Sequence, residues 1–339
     1  MVAAGLALAA ALALAACQSS SADQTDGRTK VVLGIGGRSL LPYLPTTLAE
    51  RLGHYKDEGL DVHLQDFKGG SKALQALQGG SIDAVSGYYD HTVQMQAKGK
   101  DVRAFVNMLR TPSLVLAVSP KSDRTIGSVK DLKGAKVGIT APGSSTDFFL
   151  KYLLVKNGLR VDDASVQAVG GEAGAVAAME SGRIDAAVMV DPAVSLLQQK
   201  LGGGELRLLA DTRSPKGTEQ IFGVKSYPAA VFYADGSWLQ RNPDTARKLT
   251  RAMTRTLRWI QEHSAAEIAQ KMPEAYAAGS VNVYREAIDR AKPGYSPDGL
   301  INKAGAQAAA ELQKSFSPEV SSKDIDISRT YTNEFVATR

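Results

Sequence analysis

The sequence predicts an α/β protein of two lobes with a ligand cleft between them, and three features carry that expectation. Strand-like and helix-like stretches alternate with short glycine-rich joins. The same order begins again at Lys136. Two apolar runs, 109–118 and 228–234, stand where the chain would cross from one repeat to the other and back.

In chain order, Lys30 to Ile35 is an apolar, β-branched run ending at Gly36-Gly37, and Leu44 to Leu52 has helical spacing closed by Gly53. A second strand is expected over Val62 to Phe67. Gly69-Gly70-Ser71 opens a helix to Gln78 that stops at Gly79-Gly80. Ile82 to Val85 is a third strand, and Gly87-Tyr88-Tyr89-Asp90 opens a third helix. This alternation is that of a parallel sheet covered by helices.

The second round uses a strand at Val137 to Thr140, a helix at Ser145 to Val155, and a strand at Ser165 to Val169. A helix follows from Gly170-Gly171-Glu172, and a strand from Ile184 to Val190 leads to Asp191-Pro192. Ala76-Leu77-Gln78-Gly79-Gly80-Ser81-Ile82-Asp83-Ala84 aligns position by position with Ala178-Met179-Glu180-Ser181-Gly182-Arg183-Ile184-Asp185-Ala186. Helices are expected at Pro243 to His263, Ala266 to Lys271 and Lys303 to Phe316, returning the tail to the first lobe. Residues 30–114 with 231–339 then form lobe I and 115–230 lobe II, joined by a two-stranded hinge. A ligand is expected at the carboxyl ends of the strands facing the cleft.

Lys136 to Thr146 shows the local logic most clearly. Val137 and Ile139 suit a buried strand, Pro142-Gly143 a turn, and Phe148, Phe149, Tyr152, Leu153 and Leu154 an ensuing helix. Ser144, Ser145 and Thr146 fall at that helix start. There they either cap the first turn or, with its free amides, receive a polar ligand.

The 339 residues are enough for two domains. Forty basic and 35 acidic residues leave a net charge of only +5, dispersed and without aromatic interleaving, which argues against nucleic acid as a partner. The four histidines, His54, His63, His91 and His263, lack metal-site spacing, and no GxSxG or P-loop occurs, so neither a metal nor a cofactor is expected. Cys17 is the single cysteine, which excludes an internal disulfide or a cysteine-ligated cluster.

Residues 2–16 contain only Ala, Leu, Val and Gly, an apolar core of secretion-signal length too short to span a bilayer. Leu14-Ala15-Ala16-Cys17 resembles the lipobox of bacterial lipoproteins, although no Lys or Arg precedes it. That resemblance implies a signal peptide at 1–16, lipidation of Cys17, and a polar tether over 17–29. The protein would then lie in the periplasm or at the cell surface, with the lipid as its sole membrane attachment.

A second resemblance covers roughly residues 30–270. Glu50-Arg51-Leu52-Gly53-His54-Tyr55-Lys56-Asp57-Glu58-Gly59-Leu60-Asp61-Val62, Gly69-Gly70-Ser71, Gly80-Ser81-Ile82-Asp83-Ala84, Asp131-Leu132-Lys133-Gly134-Ala135-Lys136-Val137-Gly138 and Gly143-Ser144-Ser145-Thr146 recur in that order. They resemble the substrate-binding proteins of ABC importers for nitrate, sulfonates, taurine and thiamine-precursor pyrimidines. The resemblance implies a type II periplasmic binding protein fold and a monomer that carries a small organic ligand to a permease and its ATPase. Sulfonate, carboxylate and pyrimidine-like molecules all fall within that class.

By position, the same resemblance places Gly37, Arg38, Ser39, Tyr43, Gly70, Ser71, Tyr88 and Asp90 on the wall of lobe I. It places Ser144, Ser145, Thr146, Glu172 and Asp191 on lobe II, with Arg110 at the hinge. Arg38 and Arg110 also suit solvated surface charges, and Asp90 and Asp191 also suit helix caps. Only one of Tyr88 and Tyr89 can face the cleft if the chain there is extended. Glu172 and Asp90 count against a bare oxyanion such as nitrate. The rival readings are a ligand sensor and an enzyme on the same fold. Related pyrimidine synthases carry a cysteine-rich iron motif that this chain lacks. In the absence of ligand an open cleft is expected, since closure would set unpaired loop groups against each other.

Overall fold

The structure is a computed structural model that describes residues 27–202, 204–277 and 279–336. Cys17, the signal region and nearly all of the expected tether lie outside the described residues. Thr29, assigned to the tether from sequence, already belongs to the first strand.

Among the described residues ten strands form two five-stranded sheets. The first contains β1 (Thr29–Ile35), β2 (Leu60–Asp66), β3 (Ala84–Tyr88), β4 (Val102–Asn107) and β10 (Ala230–Asp235), in the order β2-β1-β3-β10-β4. The second contains β5 (Leu114–Val118), β6 (Lys136–Ile139), β7 (Ser165–Ala168), β8 (Ala186–Val190) and β9 (Leu208–Asp211), in the order β7-β6-β8-β5-β9. The two orders are equivalent. Each sheet has a parallel trio, joined on one side by a strand that has crossed over from the other sheet.

The crossing strands correct the expectation of parallel sheets. β10 runs antiparallel to β3 and β4, and β5 antiparallel to β8 and β9, so both sheets are mixed. β10 also explains why β3 is longer than expected. Gly87 and Tyr88 pair with Val231 and Ala230, partners 144 and 142 residues away in sequence that no local pattern reveals. β4 and β9, which the alternation did not anticipate, lie beyond the crossing strands.

The internal repeat is structural down to single bonds. Val32 N–H donates to Asp83 Oδ2 at 2.8 Å, and Lys136 N–H donates to Asp185 Oδ2 at 2.8 Å. Ile82 fills the space over Gly34 as Ile184 fills that over Gly138. A Cβ at either glycine would meet the isoleucine Cδ1 at 2.5 and 2.7 Å, so both positions require Gly for close strand-to-side-chain packing.

The C-terminal helices do more than return to the first sheet. Pro243–Glu262 packs on Leu44–Arg51 and the first sheet, but Lys303–Phe316 touches both the Asp90–Ala97 and the Ser145–Lys156 helices. The Phe148 and Phe316 rings lie 5.8 Å apart across that junction. Among the described residues no helix is long and apolar enough to cross a membrane.

Candidate functional site

The loops that leave the strand ends of the two sheets face each other, and their polar groups meet directly. Ser145 begins a helix of 12 residues, and its hydroxyl donates 2.9 Å across the interface to Oδ1 of Asp90, the first residue of the Asp90–Ala97 helix. The Ser71 amide donates to Ser144 Oγ at 3.3 Å, and the Leu41 amide donates to the Asp191 carbonyl at 2.9 Å. None of the Ser144-Ser145-Thr146 hydroxyls caps its own helix: Thr146 Oγ1 instead accepts from the Thr140 amide at 3.0 Å.

This pairing corrects the expectation that closure leaves the loop groups unsatisfied. Here the two sides supply each other's partners. The space left among Gly36, Tyr43, Gly70, Tyr88, Ser145 and Thr146 has only about 20 Å³ of room for water centres, on the order of one water molecule. A small organic ligand could enter it only if the two sides moved apart.

Burial sets the protonation of the two residues beside this space. Desolvation pushes Asp90 up to about 7, against the opposing hydrogen bonds from Ser145 and the His91 amide. His91, wholly buried, is pushed down to about 4 by the same cause. Its tautomer follows from its neighbours. The Gly143 carbonyl, 3.3 Å from Nε2, can only accept, so Nε2 carries the proton and Nδ1 accepts from the Tyr233 hydroxyl at 3.2 Å.

The other residues proposed from sequence fall into three groups. Tyr43 and Tyr88 line the inner space edge to face, 6.0 Å apart, and Tyr88 donates to the Pro112 carbonyl at 2.6 Å in the segment that crosses between sheets. Tyr89 faces away and meets Thr330. Gly70 abuts His91, which a Cβ there would meet at 2.9 Å.

A second group closes the outer side. Ser39 donates to Glu172, and Lys68 bridges Glu172 and Asp66 at 3.1 and 3.0 Å. Arg38 lies on this side too, turned to Glu50 at 2.7 Å. The third group turns its side chains away from the inner space. The Asp191 carboxylate accepts from the Ser195 amide at 2.9 Å and pairs with Arg213 at 3.2 Å, while Arg110 reaches the Pro293 carbonyl at 3.5 Å, away from the inner space.

Sequence reasoning missed Leu40, Thr140, Lys68 and His91. His91 sits beside Asp90 and Leu40 beside Ser39, but an isolated His carries no spacing signal, and Leu40, in the apolar run Leu40-Leu41-Pro42-Tyr43-Leu44, reads as core. Among the described residues no cluster of His, Cys, Asp and Glu is arranged to hold a metal ion.

Residues 43–267 match the family described as NMT1/THI5 like, which is more than half of the chain. The chain belongs to the NMT1/THI5 like family. A solved structure of a protein from Bordetella bronchiseptica RB50 is 44% identical, with a TM-score of 0.87 over 91% of this chain and 96% of that one. YtlA of Bacillus subtilis, described only as a binding protein, is 28% identical over 83% of this chain and 81% of its own.

More distant relatives include a 4-amino-5-hydroxymethyl-2-methylpyrimidine phosphate synthase of Aspergillus parasiticus, 23% identical over 87% of this chain and 84% of its own. The two-sheet architecture of this NMT1/THI5 like protein is the periplasmic binding protein fold. It is shared with the alkanesulfonate-binding protein SsuA of Xanthomonas axonopodis pv. citri, at a TM-score of 0.69 and 18% identity over 91% of this chain and 98% of that one.

Proposed function

We propose that the protein is an extracytoplasmic solute-binding protein that delivers a small organic molecule to an ABC permease and its ATPase. The supporting observation is the meeting of Asp90 with Ser145, and of Ser71 with Ser144, across the two sheets of an NMT1/THI5 like protein. Residues 30–114 with 231–339 and residues 115–230 move as two lobes about the crossing segments. A ligand that replaces the direct cross-cleft bonds stabilises a closed form the permease recognises by shape. The protein acts as a monomer, uses no cofactor, and returns its ligand unchanged.

The ligand carries N–H donors. Neither Lys nor Arg lines the inner space, so an oxyanion finds no cation there. With its proton given to Asp90, Ser145 Oγ presents lone pairs to an N–H group, and such a donor also favours the charged form of the Asp90 carboxyl that burial alone disfavours. Within the classes the family resemblance allows, this favours a pyrimidine-like amine over a sulfonate or simple carboxylate.

Anchoring is through a lipidated Cys17 that follows a cleaved signal. Replacing Cys17 with Ser should release the protein from the membrane fraction or leave the precursor uncleaved. The binding role is tested by native mass spectrometry of protein purified from its own host. One small molecule per chain is expected, held less tightly by the Ser145→Ala/Thr146→Ala variant. Wild-type affinity in that variant, or a product formed at catalytic turnover, would contradict the proposal.

A further inference from the structure

Outside the inner space lies a second chamber of about 340 Å³, within the range of small-molecule sites, roughly 300–1,000 Å³. Leu40 lines both and is the wall between them. Its side chain sits between two glycines, one from each half of the molecule. A Cβ would meet Leu40 Cδ1 at 2.8 Å from Gly37 and 3.1 Å from Gly171. The wall is therefore one leucine seated where neither neighbour has a side chain.

The two chambers differ in chemistry. The inner one presents hydroxyls beside a buried carboxylate. The outer one is mainly aliphatic and aromatic, with Val176 and Leu196 from the second half and Tyr276 from the C-terminal layer. Its ionic groups are largely matched: Lys68 lies between Asp66 and Glu172, and Arg38 Nη2 is held by Glu50, although the buried Arg38 Nε has no partner. A free anion would have to compete with carboxylates for Lys68 and for Arg38 Nη2. An apolar group needs only the area of Leu40, Val176, Leu196 and Tyr276.

We propose that this outer chamber is a second subsite, which takes an uncharged, ring-bearing apolar part of the ligand while Leu40 separates it from the polar head in the inner space. The proposal rests on the interlobe binding reading, but its test does not require the natural ligand. The probe is 1-aminoanthracene, a fused aromatic amine whose fluorescence rises in apolar surroundings, titrated into the purified mature protein. One saturable site is expected.

Ala173→Trp and Leu196→Trp project a ring into the chamber from an exposed and a half-buried position, so the fold tolerates both, and matched melting curves verify this. Each should weaken probe binding at least tenfold, whereas Ser145→Ala/Thr146→Ala should leave it within twofold. The proposal is overturned by absence of saturable binding, by wild-type affinity in both Trp variants, or by loss of the probe in the Ser145/Thr146 variant. If the probe behaves as expected while no natural ligand is found by mass, the delivery role falls and the chamber stands.

Discussion

The turn before β3 and the turn before β8 are copies, but the loops after those same strands are not. Before the strands, Asp83 and Asp185 make the same bond to the backbone of a neighbouring strand, and Ile82 and Ile184 fill the same gap over a glycine. After them, one half continues into Tyr89-Asp90 and the other into Asp191-Pro192. Asp90 points across to Ser145, whereas Asp191 turns back to its own helix and to Arg213. What repeats serves the sheet, and in the loops that differ the Asp90 side chain faces the partner half while the Asp191 side chain does not.

The largest expected effect tests Asp90 as the member with no counterpart. Its carboxyl keeps a proton in the folded state up to about 7, so its contribution is full below pH 4 and is lost as pH rises toward 7. His91, pushed down to about 4, works in the other direction: the unfolded chain binds that proton and the folded one does not, so stability rises between pH 4 and 6.5. In the wild type the two slopes largely cancel over that window. Asp90→Asn removes one of them, and the stability of the variant relative to wild type should climb by about 4 kcal/mol between pH 4 and 7. Urea denaturation across pH measures it, and a flat difference would refute the assignment.

Next in size is the repeated pair. Asp83→Ala and Asp185→Ala should each cost about 2 kcal/mol, the loss of a charge-assisted bond to a strand amide. Ligand retention in the folded protein should not change. If one substitution costs nothing, or if either abolishes binding, the two turns are not equivalent framework.

The cross-cleft hydroxyls come third. Ser145→Ala/Thr146→Ala should weaken binding of the co-purified molecule by about 1–3 kcal/mol, as read by isothermal titration. The fold should remain intact, because neither hydroxyl caps the helix. The smallest effect belongs to Arg38. Its pairing with Glu50 is partly solvated, at 26% and 39% side-chain exposure, so Arg38→Ala should change stability by less than about 1 kcal/mol, and less still at high salt.

The sequence by itself determined the framework. Gly80 and Gly182 both adopt positive φ, as expected where glycines stop the matched helices, and the Ser145 and Lys303 helices start where their polar and apolar spacing placed them. These are local or periodic constraints, and a repeated segment states them twice. Tertiary structure alone decided the rest. β3 extends to Tyr88 because β10 arrives from the far side of the second repeat, and Leu40 becomes a wall because glycines from both halves leave room for it. Asp90 and Asp191 look alike in sequence as acids after a strand. They part because one is buried opposite a hydroxyl from the other half while the other finds an amide and an arginine on its own side. Spacing along a chain fixes which groups share a strand or helix, but the partner that desolvates or pairs them comes from packing.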